Sequence, residues 1–233
     1  HYAKIHHVNG SALLNKGKDP LKDQAYVLWG IPAHTLSRTL FPLGDLTKQE
    51  VRKIARENKL ETAEIPESME ICFVADNNYK RFLKDYVPDR MDAVGFGVIV
   101  DESGQTVGSH DGYPNYTIGQ RKGLGLSNPE PCYVSKIDPA SNRITVGSKD
   151  SLGEYNCNVS QTNWLVRNLS FPQRVQAQIR YNSPVVEAEI DKKDSQISVQ
   201  FSRPQTAVTP GQSIVFYDND IVLGGGVIEK NAD

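Results

Sequence analysis

From about residue 97 onward the chain repeats a simple pattern. Segments 97–101, 133–137, 143–146, 175–181, 186–190 and 196–201 are short, alternate apolar with polar residues or are rich in β-branched ones, and are separated by turn formers. A period of two puts successive side chains on opposite faces of a strand, so these segments predict half-buried β-strands. Polar stretches at 191–195 and 218–220 are short enough to be hairpin turns. Successive short strands with tight turns predict a small closed or half-closed barrel, because closure removes unpaired strand edges.

The first third has a different pattern, read as helices joined by short loops. Asp19 before Pro20 predicts a helix start, followed by Leu21, Ala25 and Leu28 on one face until Gly30. Thr47 and Glu50 form a T-x-x-E capping box, with Leu46 and Val51 placed to staple the entry and Val51, Ile54 and Ala55 predicted as a buried stripe. A third helix is expected from near Asp76, with Tyr79, Phe82, Leu83 and Tyr86 at helical spacing before Pro88 stops it. The change of period implies an α+β chain: a helical piece over residues 1–75, a mixed α/β piece over 76–153 and an antiparallel barrel over 154–233.

Composition narrows the class without naming a function. The chain has 233 residues, 38% of them hydrophobic, enough for one large domain or two to three small ones. Its formal charge of -2 is not that of a basic nucleic-acid-binding domain, although Arg121-Lys122, and Arg174 with Arg180, are local basic groups. Cys72, Cys132 and Cys157 are too few for a disulfide framework and lack zinc-ligand spacing, so no metal is expected. No apolar run approaches the ~18 residues of a membrane span and no leader is visible, so a cytoplasmic protein is expected. The chain opens at His1 within what reads as an ordered element, and we read it as a fragment.

Several motifs are chemically suggestive, and each has a plainer reading. Cys72 lies between Ile71 and Phe73, where a cysteine is more often a small packed hydrophobe than a nucleophile. In Tyr116-Thr117-Ile118-Gly119-Gln120-Arg121-Lys122-Gly123-Leu124-Gly125-Leu126, glycines permit close backbone approach and Arg121 and Lys122 supply charge for an RNA backbone; a solvated loop explains the run equally well. It is not a nucleotide-binding fingerprint. Arg180-Tyr181, expected at a strand end, pairs a cation with a ring that can stack on an unpaired base. Asp218-Asn219-Asp220 and Gly224-Gly225-Gly226 fit a hairpin turn and a bulged strand better than a metal loop.

Together, six blocks resemble the tRNA 2-thiouridylase family in order and spacing: Lys22-Asp23-Gln24-Ala25-Tyr26, Phe41-Pro42-Leu43-Gly44, Ile71-Cys72-Phe73, Gly119 to Gly125, Ala207-Val208-Thr209-Pro210-Gly211-Gln212, and Leu223-Gly224-Gly225-Gly226. The resemblance implies that ATP, with Mg, adenylates the wobble uridine of tRNA and that a cysteine persulfide, charged by a sulfur-relay protein, delivers the sulfur. It places the sulfur carrier at Cys72 and tRNA contacts at His1, Lys22, Asp23, Gln24, Arg180, Tyr181 and Gln212; Arg121 and Lys122 are added from their charge. It implies a helical remnant of an ATP-pyrophosphatase domain over 1–75 carrying Cys72, and a barrel similar to the second domain of elongation factors. The family's S-G-G-x-D-S loop does not occur in these residues, nor does its second catalytic cysteine, and His1-Tyr2 matches the end of the family's G-H-Y block. A fragment inactive alone is therefore expected, with no membrane or DNA partner. The competing reading is a non-catalytic RNA-binding barrel module; a tRNA methyltransferase lacks the glycine-rich strand-to-helix turn of a nucleotide-like cofactor site.

Overall fold

The computed structural model describes residues 1–65, 74, 76, 78–126, 130–194 and 196–229. Its strands are β1 (Ala3–Val8), β2 (Ser11–Lys16), β3 (Gly97–Val100), β4 (Thr106–His110), β5 (Tyr133–Asp138), β6 (Arg143–Gly147), β7 (Gly153–Trp164), β8 (Gln173–Gln178), β9 (Val186–Lys193), β10 (Gln196–Thr206), β11 (Ser213–Asp218) and β12 (Ile221–Ile228). Its helices are α1 (Ala33–Leu36), α2 (Lys48–Glu57), α3 (Tyr79–Tyr86) and α4 (Pro88–Val94), with 3-10 turns at Ala25–Leu28, Glu61–Glu64, Tyr113–Asn115 and Asp150–Leu152. The chain divides into two compact units, the first from residues 1–65, 155–204 and 208–233, the second from 66–154 and 205–207.

In the first unit the strands run in the order β1-β2-β12-β11-β8-β9-β10-β7, and β12 also pairs with β7. That last pairing closes β7 to β12 into a six-stranded antiparallel barrel and leaves the β1–β2 hairpin as an extension of the sheet beyond β12. Alternation along β11 explains the union. Ile214 and Phe216 enter the barrel core with Val159, Ile190 and Phe201, while Val215 and Tyr217 face the other way into a second core with Ala3, Leu14, Ala25 and Leu36. A strand covered on both faces reads as a continuous apolar run, as Ile214-Val215-Phe216-Tyr217 does.

Two of the six blocks owe their glycines to close packing. A Cβ at Gly225 would lie 2.6 Å from the Ile214 carbonyl oxygen and 2.9 Å from the Trp29 ring, and one at Gly44 would collide with the Ala3 carbonyl oxygen. The bulge expected at Gly224-Gly225-Gly226 is present, since the β12–β7 register shifts between Gly225 and Val227.

The expectation of a purely helical first third needs correction. It begins with the β1–β2 hairpin, whose turn residues Asn9 and Gly10 both take positive φ, +48° and +76°. Asn-Gly is a strong two-residue hairpin signal, and it went unread because the flanking strands alternate weakly. Asp19-Pro20 starts a turn and not a helix: Asp19 Oδ1 accepts from the Leu21 N–H and Oδ2 from the distant Lys48 N–H, and Leu21 is 86% exposed. The capping box is present as expected, with Glu50 N–H donating to Thr47 Oγ1 and Thr47 N–H to the Glu50 carboxylate. The stripe of α2 is not buried, and Ile54 is 43% exposed.

The second unit holds a four-stranded sheet in the order β4-β3-β6-β5, in which β3 and β6 are parallel. Its core is Ile99, Leu124, Val134, Ile144 and Val146. Helix α3 is capped by Asn78, not Asp76, and Pro88 ends it by occupying the first turn of α4. No helix among the described residues is long and apolar enough to cross a membrane.

Candidate nucleic-acid interface

On the first unit, Tyr26 joins its own block to the residue that follows Gln212 and to the Arg180-Tyr181 pair. This residue sits on the 3-10 turn after Gln24 and is buried by Leu28, Leu36 and the outer face of β11. Its hydroxyl donates to the Ser213 carbonyl oxygen at 2.7 Å, next to Gln212, and its ring lies 6.1 Å from that of Tyr181. Arg180 donates to Thr209 Oγ1 at 3.4 Å, tying the Arg180-Tyr181 pair to the block that ends at Gln212.

The segment carrying Arg180 and Tyr181 is a turn beyond β8, not the strand end expected from sequence. It is held from both sides. Ser183 Oγ donates to the Arg180 carbonyl oxygen, and Gln178 Nε2 donates to the carbonyl oxygens of Tyr181 and Ser183, both at 2.9 Å. Gln178 is itself fixed, because the Tyr217 hydroxyl donates to its Oε1 at 2.8 Å. Tyr181 remains 40% exposed, so an anchored backbone presents its ring beside a guanidinium. That pairing suits stacking on an unpaired base with a cation for its phosphate.

Asp23 and Gln24 are spent on the protein. Asp23 Oδ1 accepts from the N–H groups of Gly17 and Ala25, and Gln24 Oε1 accepts from the Tyr2 N–H while the Gln24 N–H donates to the Tyr2 carbonyl oxygen. This two-way link sets His1, exposed and edge-on to Phe41, beside the block containing Lys22. The Lys22 N–H closes a turn onto the Asp19 carbonyl oxygen. Gln212 is exposed, and its backbone bonds to Thr209 and Ile228.

Burial governs the titratable groups here. It raises Asp23 from its ordinary value, outweighing the two N–H donors and the charge of Lys16. It pushes the Tyr26 hydroxyl up to about 12, against the opposing charge of Arg180, and pushes Tyr217 higher still with help from Asp23 and Tyr26. Both phenols are therefore neutral donors at neutral pH. Lys16 stands 4.4 Å over the Tyr217 ring.

The remaining expected residues lie elsewhere. Arg121 and Lys122 are exposed on a loop of the second unit that Gln120 closes, accepting from the Thr117 N–H and donating to the Lys122 carbonyl oxygen. Cys132, half-buried, lines a 300 Å³ cavity with Arg121, while Cys157 is in the barrel core. Cys72 lies outside the described residues. Sequence reasoning missed Tyr26, Gln178, Thr209 and Tyr217; Tyr26 and Thr209 stood inside quoted blocks, whereas Gln178 and Tyr217 carried no local signal.

Comparison with known proteins completes the picture. Residues 1–76 match a family model described as a tRNA methyl transferase HUP domain, 80–148 a tRNA methyl transferase PRC-barrel domain, and 154–228 an aminomethyltransferase β-barrel domain. Proteins named tRNA-specific 2-thiouridylase MnmA from Halothermothrix orenii and Symbiobacterium thermophilum are each 45% identical across 99% of this chain. The chain belongs to the tRNA-specific 2-thiouridylase family. It spans 64% and 60% of the lengths of these two 2-thiouridylases, and a third from Chlorobium phaeobacteroides is 45% identical over 98% of the chain and 64% of its own length. In this chain Lys22 to Tyr26 and Val208 to Gln212 lie on one folded unit.

Proposed function

We propose that this chain carries the tRNA-binding and sulfur-delivering part of a tRNA 2-thiouridylase. Tyr26, where segments far apart in sequence converge, is the observation that supports the reading most. In this reading Arg180 and Tyr181 take an unpaired nucleotide, Lys22, His1 and Gln212 contact neighbouring backbone or base edges, and Asp23 and Gln24 hold the surface that presents them. Arg121 and Lys122 add a phosphate contact from the second unit. The barrel is of the kind found in the second domain of elongation factors, and segments 1–75, 76–153 and 154–233 are the end of the catalytic domain, a central mixed domain and the barrel domain. The setting is the cytoplasm.

The chemistry follows from the electrophile. A uridine carbonyl carbon resists attack until its oxygen bears AMP, so ATP, with Mg, first transfers AMP to that oxygen and releases pyrophosphate. A sulfur-relay protein charges Cys72 as a persulfide; its terminal sulfur bonds to the C2 carbon as AMP leaves with the oxygen, and a second thiol, the role the family gives to its second catalytic cysteine, then attacks Cys72 Sγ, breaking the S–S bond to leave 2-thiouridine and a disulfide. The HUP-domain match supports the use of ATP. The described residues of that segment present no loop of clustered amides and cations for a triphosphate, so no role in nucleotide binding is assigned to them.

The matched model descriptions speak of methyl transfer, while the curated relatives are named for thiolation. One assay separates them. The full-length protein, unmodified tRNA, ATP and a persulfide donor should yield 2-thiouridine at the wobble position, and Cys72→Ala should bind tRNA normally and transfer no sulfur. Wild-type turnover by that variant, or methylated product in place of thiolated, would sink the reading.

A further inference from the structure

We propose that Tyr217, although fully buried, governs tRNA affinity as a positioning residue: through Gln178 it holds Arg180 and Tyr181 in the shape that takes a nucleotide. The inference rests on the reading of this turn as an RNA contact and concerns the residues that prepare the turn before RNA arrives.

The register of β11 on β8 brings the pair together. Val215 lies opposite Gln178 and Tyr217 opposite Gln176, so Tyr217 and Gln178 are diagonal neighbours on one face of the sheet, within reach of long side chains. A slip of one residue in either strand would put them on opposite faces.

The bonds fix the direction of the carboxamide. Gln178 Nε2 donates to the Tyr181 and Ser183 carbonyl oxygens, which leaves Oε1 to accept from the Tyr217 hydroxyl at 2.8 Å. The reverse orientation would set the amide oxygen against two carbonyl oxygens. Burial keeps the phenol protonated and therefore a donor. The Ser183 N–H closes the same turn onto the Arg180 carbonyl oxygen at 3.0 Å. One carboxamide thus braces the turn from inside, and a hydroxyl on a residue at 0% exposure sets its orientation.

Tyr217 is held in turn from the side of Lys22. Lys16 Nζ stands 4.4 Å over its ring, and the adjoining Gly17 N–H donates to Asp23 Oδ1 at 2.8 Å. The ring therefore links the segment Lys22-Asp23-Gln24 to the turn carrying Arg180 and Tyr181. A turn ordered during folding loses little further freedom on binding, whereas each side chain left mobile lowers affinity about 2- to 10-fold.

The test uses the full-length protein and its tRNA. Tyr217→Phe removes one hydroxyl and keeps the ring under Lys16. It is expected to weaken tRNA binding about 2- to 10-fold and to raise KM for tRNA by the same factor, with kcat at saturating tRNA retained. Gln178→Met keeps the length without the amide; it should do the same, and it serves if the phenylalanine variant does not fold. Each change is then made in an Arg180→Ala, Tyr181→Ala background, where a residue acting only through the turn has nothing left to position and should leave affinity unaltered. An equal loss in both backgrounds would mean that Tyr217 supports the fold at large and would overturn the proposal, as would a fall in kcat at unchanged KM. If the Arg180→Ala, Tyr181→Ala protein binds tRNA weakly while Tyr217→Phe and Gln178→Met bind as wild type does, the positioning role falls and the functional reading stands. If that double variant binds as tightly as wild type, the turn is no RNA contact and both fall.

Discussion

Strand β11 and helix α3 make opposite use of apolar residues. The four residues Ile214, Val215, Phe216 and Tyr217 are all buried, two in the barrel core and two beneath the β1–β2 hairpin and the first 3-10 turn. Helix α3 has Tyr79, Phe82, Leu83 and Tyr86 at equally regular spacing and buries none of them fully. Periodicity therefore states which face of an element is apolar and not whether anything covers it. Covering depends on segments far away in the chain: residues 1–65 cover β11 completely, whereas α3 is covered only in part, with Tyr79 bonded to the Asn115 carbonyl oxygen and Tyr86 left 76% exposed.

The largest test of this contrast is Phe216→Ala, which empties a site at 0% exposure stacked on Trp164 with ring centroids 5.6 Å apart. Urea denaturation should show a loss of about 3–5 kcal/mol. A loss under about 1 kcal/mol would mean that the barrel core rearranges freely, and the two elements would no longer differ in kind. A smaller effect belongs to α2, where local chemistry fixes the helix start without deep burial. Thr47→Ala removes half of the capping box and should cost about 1 kcal/mol. Thr47→Ser should restore most of it; if the serine variant is as weak as alanine, the methyl group and not the cap matters there.

These cases show why the sequence was partly legible. Strands expected at 133–137, 143–146, 186–190 and 196–201 correspond to β5, β6, β9 and β10, because alternation and turn residues are local signals. Thr47 and Glu50 were legible for the same reason. Asp19 misled because its side chain reaches Lys48, 29 positions away, in place of capping a helix of its own. The interface divides likewise. Its blocks are contiguous and could be recognised, but the bond from Tyr26 to Ser213 joins residues 187 positions apart, and the support of Arg180-Tyr181 by Gln178 and Tyr217 follows from barrel register alone.

The smallest expected effect is at Tyr86, and it bears most directly on the comparison. The residue is 76% exposed, and its ring stacks on Phe82 at 5.1 Å, an i,i+4 pair on a helix surface. Such pairs contribute about 0.2–0.5 kcal/mol, so Tyr86→Ser should leave the urea midpoint of the chain nearly unchanged. The same replacement inside β11, Tyr217→Ser, would remove a fully buried ring together with its bond to Gln178. If Tyr86→Ser instead cost more than about 2 kcal/mol, the outer face of α3 would have to be covered in solution, and sedimentation of the variant beside wild type would show whether a second copy does the covering. A near-zero result would leave α3 as a helix whose apolar face contributes little to folding, in contrast to β11, where both faces do.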